Sequence, residues 1–140
     1  MLAKLHARLS KNEGFTLIEL LVVMIIIGIL VAIAIPSYLS LKGRAHKSAA
    51  ESDLRALVPD VESWYADNGT YSGITIALLK SNYDQSINTT AGTDPVYEAP
   101  TQLSGTTYCF SVTDGDQRAK KAGPDAPIVA GDASVVTACA

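Results

Sequence analysis

The chain has 140 residues, 48% of them apolar and 18% charged, with two cysteines and a formal net charge of −3. That length suits one domain, or one domain with an appendage; the apolar content excludes a disordered chain, and two cysteines exclude a disulfide-rich miniprotein. The negative balance excludes a strongly basic nucleic-acid binder, and the apolar residues are unevenly spread: between Phe15 and Ile35 only Thr16, Glu19 and Gly28 are not plainly apolar.

The opening MLAKLHARLSKNEG sets Lys4, Arg8 and Lys11 against Glu13 and reads as a basic cytoplasmic stub. The run FTLIELLVVMIIIGILVAIAI follows; its 21 residues would span roughly 31 Å as a helix, against about 30 Å of bilayer hydrocarbon. A secretory signal has an apolar core of only about 7–15 residues closed by small residues at a cleavage site, and this run fits neither feature. Lys42, Arg44 and Lys47 follow the span, so the basic residues tie at three on each side and the positive-inside rule does not orient it. Cys109 and Cys139 suit an oxidising exterior, which puts the N-terminus in the cytoplasm and the later residues outside, with free thiols left open as the alternative.

Glu19 is the anomaly of the span. A charged side chain inside a membrane segment costs about 3 kcal/mol on insertion scales. Early in the run, it could simply lie at the interface. Otherwise it needs a cation in the apolar phase, and no Lys or Arg lies in the span. The cation would then come from another chain or from a new N-terminal amine, which cleavage after Gly14 would create on Phe15.

Gly14-Phe15-Thr16-Leu17-Ile18-Glu19, continued by LLVVMIIIGILVAIAIP, closely resembles the leader junction and N-terminal helix of type IV pilins and pseudopilins. The resemblance covers about the first 36 residues. It implies that residues 1–14 are a leader removed by a prepilin peptidase between Gly14 and Phe15, that Phe15 is N-methylated, and that Glu19 is the assembly residue. Glu13 stands where many such leaders carry Lys or Arg, a mild departure. The implied architecture is α+β: a long N-terminal helix packed on a small antiparallel sheet, with residues 15–36 crossing the membrane or forming a filament core and residues 37–140 forming an external head. The implied partners are further copies of the chain in a helical homopolymer, the pilus assembly platform and its ATPase machinery, and the membrane before assembly; no nucleic acid and no cofactor are implied. A secretion pseudopilin or a competence-type DNA-uptake pilin is the alternative within the same resemblance. Losing the leader removes three basic residues and one acidic residue, taking the net charge from −3 to −5.

The physical logic agrees. A methylated amine keeps its charge, so Glu19 of an incoming chain can pair with Phe15 of one already in the filament and fix the register of otherwise apolar helices. Gly28 and Pro36 bracket the weakest part of the helix: Pro36 offers no amide proton to the carbonyl of Ala32, and a glycine costs roughly 1 kcal/mol relative to alanine. The resemblance implies that this stretch loses helical order in filaments.

From Ser37 to about Asn68 the pattern continues as helix. Leu54, Leu57, Val58, Val61, Trp64 and Tyr65 recur at spacings of three and four and form one apolar stripe. Pro59 should bend this helix rather than end it, and Asn68-Gly69 offers a stop. Trp64 and Tyr65 are expected in the core rather than around a ligand. Ile74 to Lys80 reads as a short helix or turn, and Val96–Ala99, Thr106–Thr113, Ile128–Ala130 and Ser134–Ala138 as strands. The alternation through Thr107–Val112 predicts a half-buried strand, and Arg118, Lys120 and Lys121 are expected as a small basic patch on a solvated loop.

The family resemblance also implies a C-terminal disulfide between Cys109 and Cys139. Two cysteines with no nearby histidine make at most half a zinc site. Asp114, Asp116, Asp125 and Asp132 could offer oxygens to calcium, but their spacing does not match an EF-hand loop, and acidic glycine-rich turns are ordinarily solvated hairpins. Asn68-Gly69-Thr70 and Asn88-Thr89-Thr90 fit the glycosylation sequon, which chance supplies easily. With His6 in the leader and His46 just beyond the span, and no nucleophile elbow, phosphate loop or metal cluster, no enzyme is expected.

Overall fold

The computed structural model describes residues 14–90 and 93–139, so residues 1–13, which the sequence reading takes as a leader, lie outside the described part. The elements are α1 (Leu17–Asn68), α2 (Ile76–Asn82), β1 (Val96–Tyr97), β2 (Cys109–Asp114), β3 (Gln117–Ala122) and β4 (Val129–Asp132). The chain divides into two compact units, Met1–Leu39 and Ser40–Ala140.

In the first unit α1 is an almost wholly apolar run, broken by Glu19 and Ser37, whose side chains are not buried by any described part of the chain. Every described residue from Gly14 through Leu39 is exposed, Leu17 at 81% and Ile33 at 67%. Helix is the conformation this sequence must take if it is to lie in lipid, because each backbone group must then be paired within its own segment. Gly28 and Pro36, which should weaken it, both lie within unbroken helix.

The second unit is the α+β head. Here α1 buries Ala50, Leu54, Leu57 and Val61, spaced by four, three and four so that they fall on one face. The helix continues through Pro59 and stops at Asn68, where Gly69 takes φ +68 and its amide bonds the carbonyl of Tyr65 at 2.7 Å. Tyr71, Ile74, Leu79 and Ile87 from the connecting segment, with Tyr108, Phe110, Val112 and Ala119 from the sheet, complete the core. Trp64 packs on its margin and donates from Nε1 to the carbonyl of Thr70, as a core residue would. α2 begins two residues later than Ile74 and is capped by Thr75, whose hydroxyl accepts from the amide of Leu78.

The sheet is antiparallel in the order β1-β2-β3-β4. Three strand expectations need correction. The segment 117–122 is not a solvated loop but β3, paired with β2 from Cys109↔Ala122 to Asp114↔Gln117. Its sequence, QRAKKA, has poor strand propensity, and tertiary contacts override it: Ala119 is fully buried, and Lys121 lays its stem in the core while Nζ donates to the carbonyls of Pro124 and Ala126 at 2.8 and 2.7 Å. The segment 134–138 is not a strand, because Asp132 captures the Ser134 amide at 2.8 Å and its own carbonyl takes the amides of Val135 and Val136. β2 starts at Cys109 rather than Thr106, since Ser104 Oγ accepts from the amides of Thr106 and Thr107 and holds them in a turn.

β2 is also buried on both faces rather than one: Phe110 and Val112, with Tyr108 just before the strand, lie in the core, while Cys109 and Ser111 are covered as well. The cover is the C-terminal segment. Cys139 is bonded to Cys109, and its amide reaches Ser111 Oγ at 3.5 Å.

Candidate functional site

The N-terminal segment carries the residues singled out from the sequence, and the structure gives Glu19 a partner within its own chain. Thr16 stands just before the helix as its cap. Its amide and its hydroxyl both donate to Glu19 Oε2, at 2.8 and 2.7 Å, and the Glu19 amide donates back to Thr16 Oγ1 at 3.3 Å. This is a capping box, a Thr at the cap with a Glu three residues on, each satisfying an amide of the other. Glu19 Oε1 has no hydrogen-bond partner among the described residues. The carboxylate therefore closes the helix end and still has one oxygen to offer. Gly14 and Phe15 precede the helix and are exposed, Phe15 at 83%, so the peptide bond joining them is not covered by any described part of the molecule.

Around this end the surface is apolar. Leu17, Leu20, Leu21, Met24 and Ile25 form an open, almost wholly apolar face, and the helix is long and apolar enough to cross a membrane. A lone chain in water would leave this surface wet at about 25 cal/mol per Å², so its natural setting is lipid or the helices of other chains.

The other polar groups of note lie in the head. His46, expected just outside the globular part, belongs to it: Nδ1 meets Asp114 Oδ1 at 2.7 Å, and its ring packs over Gly115. Glu98 collects Ser111 Oγ, Thr113 Oγ1 and Arg118, whose Nη2 lies 2.9 Å from Glu98 Oε1, while Arg118 Nη1 donates to the carbonyls of Ala133 and Val136. This hub ties β1, β2, β3 and the C-terminal segment together. Sequence reasoning missed both groups, because partners 20 and 68 residues apart leave no local pattern. Glu62 accepts from Tyr71 and Tyr108 at 2.8 and 3.1 Å, and burial, reinforced by that carboxylate, pushes the Tyr71 hydroxyl up to about 12.

Of the acidic residues considered for calcium, Asp114 is engaged by His46 and Asp132 by Ser134. Among the described residues no three His, Cys, Asp or Glu side chains come together as a metal site. Asn68 Nδ2 donates to the Trp64 carbonyl and Asn88 Nδ2 to Thr93 Oγ1.

Residues 9–35 match the family described as the prokaryotic N-terminal methylation motif. The chain is 45% identical over 62 residues to the type IV major pilin protein PilA of Myxococcus xanthus, covering 44% of this chain and 28% of that protein. It is 39% identical over 62 residues to the type II secretion system core protein G of Escherichia coli, covering 44% and 43%, and 33% identical over 100 residues to the fimbrial protein EcpC of Eikenella corrodens, covering 67% and 65%. The chain thus spans between 28% and 65% of the length of these curated relatives. No solved structure matches it. The N-terminal segment is prepilin-type, and the chain is similar to both type IV pilins and secretion pseudopilins.

Proposed function

Taking the prepilin-type N-terminus as premise, we propose that this chain is a structural subunit of a type IV pilus rather than an enzyme. It enters the membrane with its N-terminus in the cytoplasm, is cut after Gly14 by a prepilin peptidase, is methylated on Phe15, and polymerises through its apolar helices into a surface filament. The pilus assembly platform and its ATPase machinery are its partners in that step, and no cofactor is required. The observation that carries the reading is the exposed apolar surface of the described residues of the first unit, together with Glu19, the one carboxylate among them.

In this reading the capping box and the assembly contact are successive roles of one side chain. Thr16 holds Glu19 Oε2 within the chain, and Oε1 accepts the charged amine of Phe15 from a neighbouring copy. A buried pair of this kind adds little net stability but fixes register. Glu19→Ala is expected to leave a membrane-inserted, cleaved subunit with little or no filament, measured by shearing surface filaments and weighing the chains. A normal yield of filaments from Glu19→Ala sinks the assembly role. In the unmodified protein, sheared filaments should contain mainly a methylated chain beginning at Phe15.

Similarity to the type II secretion core protein G favours a second reading, a pseudopilin that assembles only beneath the cell surface. It predicts processed, methylated chains in the membrane fraction and none in sheared material.

A further inference from the structure

The exposed apolar surface of α1 does not end at Ile35. Tyr38, Leu39 and Leu41 are 66%, 60% and 67% exposed, and the Ser37 hydroxyl between them is satisfied by the Ile33 carbonyl at 3.2 Å. From Leu17 to Leu41 the helix offers about 37 Å of mostly apolar surface to about 30 Å of hydrocarbon. The excess admits more than one depth in the bilayer, and something must choose among them.

Lys42, Arg44 and Lys47 follow at once. All three are exposed, and none has a hydrogen bond or ion pair among the described residues. The nearest following carboxylate, Glu51, is instead engaged by Arg55 at 3.6 Å. Three uncommitted cations in six positions, directly beyond an apolar helix surface, complement the phosphates of a bilayer interface. Resting on the membrane reading above, we propose that Lys42, Arg44 and Lys47 form a collar that docks on anionic lipid headgroups and sets the depth of the subunit. The collar selects the register in which Leu20–Leu41 fill the hydrocarbon. That leaves Glu19 at the opposite interface rather than inside the apolar phase. Removal of the leader strengthens the bias, since it deletes Lys4, Arg8 and Lys11 and leaves only the Phe15 amine as a cation at the other end of the span.

The test uses the full-length chain reconstituted in vesicles of equal phosphatidylcholine and phosphatidylglycerol, then released in mild detergent and weighed with its retained lipids by native mass spectrometry. The wild-type chain should retain phosphatidylglycerol preferentially, and the preference should fall by about fivefold for each of Lys42→Gln, Arg44→Gln and Lys47→Gln. Lys120→Gln, on the sheet, should leave it unchanged. A triple variant with the wild-type lipid ratio, or a wild-type chain with no preference, overturns the collar. So does loss of filaments in the triple variant with the lipid ratio intact, which would assign these cations to carboxylates of a neighbouring chain. Failure of the membrane reading itself looks different: alkaline carbonate would then strip the wild-type chain from the vesicles.

Discussion

At Gly115 the backbone takes φ +58, and a Cβ placed there would meet the His46 ring at 3.1–3.2 Å. Gly115→Ala is therefore strained twice, by conformation and by contact, and should cost the head about 1–3 kcal/mol in chemical denaturation. An unchanged midpoint would show that the ring moves aside freely. Cys109 and Cys139 close a loop of sequence separation 30, and replacing both with Ser should cost roughly 3–4 kcal/mol in the same measurement. These residues differ in how far they could be read beforehand. Glu19 stands out because a carboxylate in an apolar run demands a partner, and the cysteines because there are only two. Gly115 carries no such mark, since its constraint comes from a histidine 69 positions away in the chain. Even for Glu19 the sequence reading looked outward for a cation, while the first partner turned out to be Thr16 within its own helix end.

Helix α1 was legible almost to the residue because period and stop signal agree: apolar side chains at three and four, then Asn68-Gly69. The sheet was less so. β3 has the composition of a solvated loop, and only the buried Ala119 and the carbonyl-bound Lys121 explain why it is a strand. The join of helix to sheet through Glu62 carries a pH signature. Tyr71 ionises near 10 in an unfolded chain but, held by burial and by the Glu62 carboxylate, only at about 12 in the folded one. Between those values the unfolded state gives up a proton that the folded state keeps, so stability is full below pH 10 and declines as pH rises toward 12. A denaturation series across that range should show the decline, and Glu62→Gln should move its upper end downward. A flat profile would mean that Tyr71 does not stay neutral in the fold.

The molecule as a whole combines a head with a buried apolar core and a helical segment whose described residues bury none of their apolar side chains. In water without lipid or detergent, the full chain should self-associate through that segment, since so large an apolar surface does not remain wet. Sedimentation should show polydisperse assemblies that mild detergent disperses; a stable monomer in plain buffer would contradict it. Two-part organisation was evident from the clustering of apolar residues alone, whereas the pairing that closes the head depends on contacts between distant positions, to which composition is blind. The position of the disulfide has a practical outcome. Arg118, Lys120 and Lys121 all lie between the joined cysteines, on β3. Trypsin acting on any of them would cut a ring rather than a tether. A chain nicked only there would keep its apparent size on a gel until a reductant separated the pieces, whereas a cut at exposed Lys42, Arg44 or Lys47, outside the ring, would shorten it with or without reductant.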